Sequence, residues 1–472
     1  MPVFRRFIPE LTVLVCMAHA TSRVAATLAT LNFLEFAMPP KYRFCATLPC
    51  TLLLSTALLT ACGGGSGGSI TAPAVPAAPA APAVPTVPGV PTTPQPPVAQ
   101  YHDPVGISSS GQNIALLPAL GQPAVGTPAI PAAMAGAIDQ ALQATLRNGH
   151  IPGAAIAVLQ DGKLVYGKSY GYANLEQRTP LQAEQRMVIG SLSKQFVAVA
   201  VLMLVESGQI GLDEKVSRYL GTVPAGWSAM TIRQLLTHTS GLAHLPPDSF
   251  TYYQLDALPA KSEDEKLALL EAFPVAQSAG QGYLYSNLGY DALGYVIAKV
   301  TGQHYFAFMQ QRIFGPLGMT SARLIKPGAA ERAQGYLVRG GLDYAVSLSD
   351  GAWVGTALAS TGLEMNVLDM AKWDAALNGE QLLKPATLAQ MWSRQSASDV
   401  PGEAYGLGWG LRSAYGQRQI FHTGTVAAFT TDYRRYPDAH FSVIVLTNKS
   451  DNPDSLDIAT QITRILQPNW GV

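Results

Sequence analysis

Ser191 and Lys194 stand three residues apart in Val188-Ile189-Gly190-Ser191-Leu192-Ser193-Lys194-Gln195-Phe196, and no other lysine of the chain has a serine at that spacing. A hydroxyl is a weak nucleophile until a base stands beside it. The spacing supplies a base if the segment is helical, because residues i and i+3 share a helix face. The apolar run from Phe196 to Val205, which stops at Gly208, predicts that helix. Ser191 would then sit at a helix N-terminus with an amine beside it to take its proton. The same residues also fit an N-cap serine followed by a solvated lysine, and the pair alone does not choose between the two readings.

Composition narrows the field. The chain has 472 residues and a net charge of zero, with 13% charged residues, so nothing marks a nucleic-acid partner. The cysteines are Cys16, Cys45, Cys50 and Cys62. Beyond Cys62 there is no disulfide, cysteine metal site or thiol nucleophile to consider. His150, His244, His304 and His440 form no His-x-x-x-His set, so neither a metal nor another cofactor is expected.

The elements that must position the serine lie in the second part of the chain. Residues 1–61 read as an N-terminal extension plus a signal peptide, with translation starting at Met38. Lys41-Tyr42-Arg43 is a basic start, Phe44 to Ala61 is short and apolar, and Leu59-Thr60-Ala61-Cys62 resembles a bacterial lipobox. Cys62 is then the lipidated N-terminus, the alternative being an uncleaved anchor. Residues 62–125 read as a Gly-, Pro- and Ala-rich linker, extended where proline dominates. Gly64-Gly65-Ser66-Gly67-Gly68 has the spacing of a nucleophile elbow but lacks the strand and helix that motif needs. Residues 126–472 are the folded body. The body exceeds the roughly 250–300 residues at which one core stops growing, so two lobes are expected.

Within the body, Ala132–Asn148 reads as a helix. Ala154–Leu159 and Lys163–Tyr170 read as strands around the Asp161-Gly162 turn. Helices are predicted over Phe196–Ser207, Thr231–Leu236, Lys266–Phe273, Gly289–Thr301 and Val367–Leu377. A strand from Ile420 to Gly424 follows, then Phe429–Tyr436 and Phe441–Thr447 around Pro437-Asp438. Strands at both ends with helices between them predict an α+β sandwich. One antiparallel sheet would be built from both chain ends and flanked by helices, with an inserted helical lobe and the site between the lobes.

Two further motifs follow Ser191-x-x-Lys194 in order. Tyr285-Ser286-Asn287 lies in Gly282-Tyr283-Leu284-Tyr285-Ser286-Asn287-Leu288-Gly289, and His422-Thr423-Gly424 ends a predicted strand. Together the three resemble the motif set of the serine β-lactamase and penicillin-binding-protein superfamily. Tyr-x-Asn in second place points to its class C-like branch, which includes D,D-peptidases and β-lactamase-fold esterases. Leu235-Leu236-Thr237-His238-Thr239-Ser240-Gly241-Leu242 and Asp369-Met370-Ala371-Lys372-Trp373 are also typical of that branch, so the resemblance covers nearly the whole body.

The resemblance implies that Ser191 attacks a carbonyl to form an acyl-enzyme while Lys194 and Tyr285 move its proton. It implies that Asn287, His422, Thr423 and Gly424 bind substrate. The backbone N–H groups of Ser191 and Thr425 would hold the oxyanion. A tyrosine serves as base only beside a cation that lowers its phenol from about 10, so the base is Tyr285 or Lys194 itself. Tyr172-Ala173-Asn174 precedes the serine and reads as structural. So do His238, as a buttress of a helix end, and Trp409, as strand packing.

His422 departs from the lysine usual in β-lactamases. With an ordinary pKa of about 6.5 it would gain charge as pH falls from 8 to 5, and activity on carboxylate substrates would rise with it. The expected function is therefore an envelope-tethered serine hydrolase of esterase or D,D-peptidase type. The alternatives are a class C-type β-lactamase and a non-catalytic penicillin-binding module. Its partners would be a small ester, amide or peptide and, through Cys62, a membrane, with the protein a monomer. Gly63 rather than Asp after the cysteine implies the outer membrane, facing the periplasm. The segments His244–Leu258 and Glu331–Ala352 are expected to be loops that choose the substrate.

Overall fold

The Asp161-Gly162 turn sets the first hairpin. Both residues have positive φ, 51° and 70°, as a two-residue turn between twisted strands requires. It joins β1 (Gly153–Gln160) to β2 (Lys163–Asn174). The computed structural model describes residues 106–107, 121–244, 262–326, 331–339, 342–347, 359–426, 428–449 and 453–471. The readings that fall on Met38, the signal peptide, Cys62 and most of the linker lie outside the described residues. Among the described residues, no helix is long and apolar enough to cross a membrane.

Among the described residues, the main sheet has nine strands. After β1, β2 and β3 (Thr179–Pro180) come β4 (Ser396–Ala397), β5 (Ala404–Tyr405), β6 (Gly410–Ala414), β7 (Gln417–Val426), β8 (Phe429–Tyr436) and β9 (Phe441–Thr447). Their spatial order is β4-β5-β6-β7-β8-β9-β1-β2-β3. The two chain ends meet where β9 pairs with β1 antiparallel, from Phe441↔Gln160 to Thr447↔Ala154. This is the α+β sandwich expected from the sequence. The link after Tyr436 differs from the two-residue turn expected there. A 3₁₀ turn over Pro437–Ala439 carries it, closed by His440 at φ 50°. Proline fixes φ near −65° and so cannot enter a primed two-residue turn.

Alternation assigns the two faces of the sheet. Ala154, Ile156 and Val158 pack with Val443 and Val445 against α1 (Ala132–Asn148) and the C-terminal helix Pro453–Leu466. The intervening Ala155, Ala157 and Leu159 face the larger core with Ile444 and Leu446. Each fully buried Ile, Leu or Val on these faces contributes about 1.5–3 kcal/mol.

The larger core is built around α2 (Ser193–Glu206), whose residues from Ser193 through Leu202 are all buried. A helix apolar on all sides must lie inside the protein. Around it lie α3 (Ile232–Leu236), α4 (Glu263–Glu271), α5 (Asn287–Thr301) and α6 (Val367–Ala376). Part of the expected Glu331–Ala352 loop is instead a β-ribbon, in which Gly335–Arg339 pairs with Leu342–Ser347. Of the other expected loop, residues 245–261 lie outside the described residues.

Candidate active site

Ser191 occupies a 3₁₀ turn, Gly190–Leu192, that runs directly into α2. The turn abuts β7 so closely that no side chain fits between them. A Cβ on Gly424 would lie 2.4 Å from the Ile189 carbonyl oxygen, 2.5 Å from Thr431 Oγ1 and 3.0 Å from the Ser191 nitrogen. Thr431 Oγ1 ties the junction by donating to Ile189 O at 2.9 Å. Gly190, at φ 55°, lies against the Thr425 nitrogen from the other side. The backbone N–H groups of Ser191 and Thr425 thus meet at one junction. β6 stops pairing at Gly410↔Phe421, while β7 continues with β8 as far as Val426↔Phe429. Among the described residues, 422–426 therefore carry a strand neighbour on one side only, next to the nucleophile.

Leu284-Tyr285-Ser286-Asn287 is stitched to the segment 238–244 by four hydrogen bonds. Leu284 N donates to His238 O at 2.7 Å and Asn287 N to His244 O at 3.3 Å. Ser286 N donates to His238 Nδ1 at 3.0 Å, and Ser286 Oγ to Ala243 O at 2.8 Å. Ser286 also caps α5 by accepting from Gly289 N at 3.0 Å. The His-Thr-Ser-Gly-Leu run thereby sets the register of the Tyr-Ser-Asn run. The His238 ring stacks on Tyr285 at 4.2 Å between centroids.

Lys194 is fully buried, with its Nζ among three oxygens: Ser191 Oγ at 3.0 Å, Asn287 Oδ1 at 2.8 Å and Ser360 O at 3.0 Å. Two of these can only accept. A charged amine donates to all three; once neutral, it keeps two N–H groups for the acceptor-only pair and turns its lone pair to the Ser191 hydroxyl. Burial brings the Lys194 amine down from 10.5 to about 7, opposed by the charge of Asp291. Tyr285 Oη donates to Ser191 Oγ at 2.8 Å. Burial raises the Tyr285 phenol well above its ordinary value, so it is a proton donor in the resting state. The serine oxygen can therefore accept from Tyr285 while giving its proton to Lys194.

His422 lies on β7 with its ring buried. Nδ1 donates to the Thr423 carbonyl at 2.7 Å, so Nε2 is the acceptor for the Tyr405 hydroxyl at 2.9 Å. Burial and then the Lys194 charge lower it to about 3. Burial thus works against the protonation expected between pH 8 and 5. The ring is held at both nitrogens and favoured in its neutral form where it borders the cleft. An open cleft of about 430 Å³ adjoins it, with Tyr283, Tyr285, Tyr405, Phe421, Asp399 and Glu403 among its walls. Glu403 is paired with Arg412 at 2.9 Å.

The family model described as Beta-lactamase matches residues 138–467, which spans both chain ends of the sheet and every residue of this site. The chain belongs to the Beta-lactamase family. Penicillin-binding protein 4* of Bacillus subtilis (strain 168) is 27% identical over 333 residues, covering 67% of this chain and 72% of that one. The octameric penicillin-binding protein homologue from Pyrococcus abyssi superposes with a TM-score of 0.62 at 27% identity, over 71% of this chain and 77% of that one. EstCE1, a hydrolase with promiscuous acyltransferase activity, shares the fold with a TM-score of 0.61 at 22% identity, over 71% of this chain and 98% of that one. Members of the Beta-lactamase family are serine hydrolases, and this chain is one by descent and fold.

Within this Beta-lactamase fold the remaining sequence candidates fall away from the chemistry. Tyr172 packs with Leu175 and Tyr336 in a separate cluster. Trp409 is buried against Trp392 and Tyr433. Among the described residues, no group of three or more His, Cys, Asp or Glu side chains could hold a metal ion. Asn287, expected to face substrate, spends its Oδ1 on Lys194 and keeps only its NH₂ for that task. Sequence reasoning missed Ser360, Tyr405 and Asp291. Asp291 was findable, since it lies four residues beyond Asn287 on the same face of α5.

Proposed function

We propose that this protein hydrolyses a small ester or amide through an acyl-enzyme on Ser191, with Lys194 as general base and Tyr285 as the proton donor to the leaving group. The observation that carries the assignment is the set of three oxygens around Lys194 Nζ, two of them acceptor-only. The Ser191 proton passes to Lys194 as Oγ bonds to the carbonyl carbon. The resulting oxyanion lies against the N–H groups of Ser191 and Thr425. Collapse breaks the bond to the leaving atom, which takes the Tyr285 proton, and the Lys194 ammonium restores it. Water then attacks the acyl group by the same route in reverse, giving the acid and free Ser191.

The leaving side enters the cleft beside Tyr285, where Asp399 stands and His422 is neutral, while Glu403 is offset by Arg412. That wall favours a neutral leaving group over a free carboxylate. A D,D-peptidase reading is supported by the one-sided strand edge at residues 422–426, which suits a peptide backbone. The two readings separate when an N-acyl-D-alanyl-D-alanine is compared with its methyl ester and with p-nitrophenyl butyrate. The ester reading expects both esters to be turned over at least about tenfold faster than the free acid, one factor of ten being 1.4 kcal/mol. Equal or faster turnover of the acid would select the peptidase. Export and lipidation at Cys62 are part of the same proposal, resting on the lipobox-like Leu59-Thr60-Ala61-Cys62. Incorporation of labelled palmitate that Cys62→Ser abolishes would support them, and labelling that survives the substitution would not.

A further inference from the structure

Beneath the nucleophile lies a buried carboxylate with no part in the proton transfers above. Asp291 is 2% exposed, and its Oδ1 accepts the Ser360 N–H at 2.8 Å. The carbonyl of the same residue accepts Lys194 Nζ at 3.0 Å. One helical turn earlier on α5, Asn287 Oδ1 holds the same Nζ at 2.8 Å. A single face of α5 thus grips Lys194 twice, once directly and once through the Ser360 residue.

We propose that Asp291 is a positioning residue that supplies the counter-charge for Lys194 and fixes the Ser360 carbonyl on which its amine rests. The inference rests on the assignment of Lys194 as base. Other titratable groups face Lys194 from every side. Tyr285 and Tyr290 lie with their rings 4.9 Å and 5.6 Å from Nζ. His238, His244 and His422 are held neutral by burial, with the Lys194 charge adding to that effect. Asp291 is the carboxylate whose charge bears on Lys194, and it opposes the loss of the lysine proton. A base must be weak enough to be free at working pH and strong enough to take the serine proton. Burial alone would overshoot, and Asp291 limits the overshoot.

The test is the pH dependence of kcat/KM for p-nitrophenyl butyrate in the full chain. Asp291→Asn keeps an acceptor for the Ser360 N–H and removes the charge. The acid limb should move down by about one pH unit or more, the usual size of one opposite charge nearby. The plateau should fall, because the base is weaker. Asp291→Ser should move the limb the same way, and Asp291→Glu should return it toward the wild-type position. A role in folding alone predicts lower rates at every pH with the limb unmoved, and that result in either neutral variant overturns the inference. Failure of the underlying assignment looks different: wild-type turnover would then keep its rate in Lys194→Met, or its acid limb would vanish in Tyr285→Phe.

Discussion

Gly424→Ala probes the junction between nucleophile and strand with a single methyl group. The added carbon would meet Ile189 O at 2.4 Å, Thr431 Oγ1 at 2.5 Å and Ser191 N at 3.0 Å. Two of these contacts are backbone atoms, and Thr431 is itself bonded to Ile189 O, so no flexible side chain can swing aside. The strand and the Ser191 turn must separate by several tenths of an ångström. Overpacking of this kind costs about 1–3 kcal/mol of stability. The separation also pulls Thr425 N from Ser191 N. Loss of one oxyanion donor costs about 10²–10³ in kcat, so kcat should fall by at least about 10² with KM much less affected. Ester hydrolysis and urea unfolding measured on the same preparation separate the two effects. Full activity at unchanged stability would refute the close approach. A loss of kcat accounted for by the unfolded fraction would refute its link to catalysis.

Tyr285→Phe removes the donor to Ser191 Oγ and should lower kcat by about 10²–10⁴, the range for a general acid, while the acid limb stays near pH 7 where burial places Lys194. Disappearance of that limb would make Tyr285 the base. Between about 7 and 10.5 the unfolded chain holds a proton that folded Lys194 has lost, so stability should rise with pH across that window. Urea unfolding of wild type against Lys194→Met should show wild type gaining up to about 1.4 kcal/mol per pH unit relative to the variant, and a flat difference would contradict the buried amine. Gly136 lies inside α1 with open space around a built Cβ, so Gly136→Ala should stabilise by about 0.5–1 kcal/mol without altering kcat. A lower melting temperature in that variant would count against the packing described for α1.

Much of the scaffold was legible because it is periodic. The apolar run after Lys194, the Asp-Gly turn and the alternating runs at the C-terminus announce their elements by local pattern alone. The C-terminal helix escaped notice although Ile458, Ala459 and Ile462 fall on one helical face. The short strands β3, β4 and β5 span two residues each and carry no periodicity to read. The site divides in the same way. Ser191 and Lys194 are related by one helical turn and could be paired from spacing. The union of Lys194 with Asn287 and Ser360 spans 93 and 166 residues, so only the folded chain reveals it. His422 misled because its ordinary pKa assumes solvent, whereas Tyr405 and the Thr423 carbonyl enclose the ring. Residue type was readable, but environment was not.

The central claim is that Ser191 carries the acyl group. Intact-mass and peptide mass spectrometry after brief exposure to a fluorophosphonate, or to a slowly released p-nitrophenyl ester, tests it directly. One adduct per chain is expected, on the peptide containing Ser191, absent in Ser191→Ala and slowed in Lys194→Met. An adduct on another residue, or ester turnover that survives Ser191→Ala, would contradict the account.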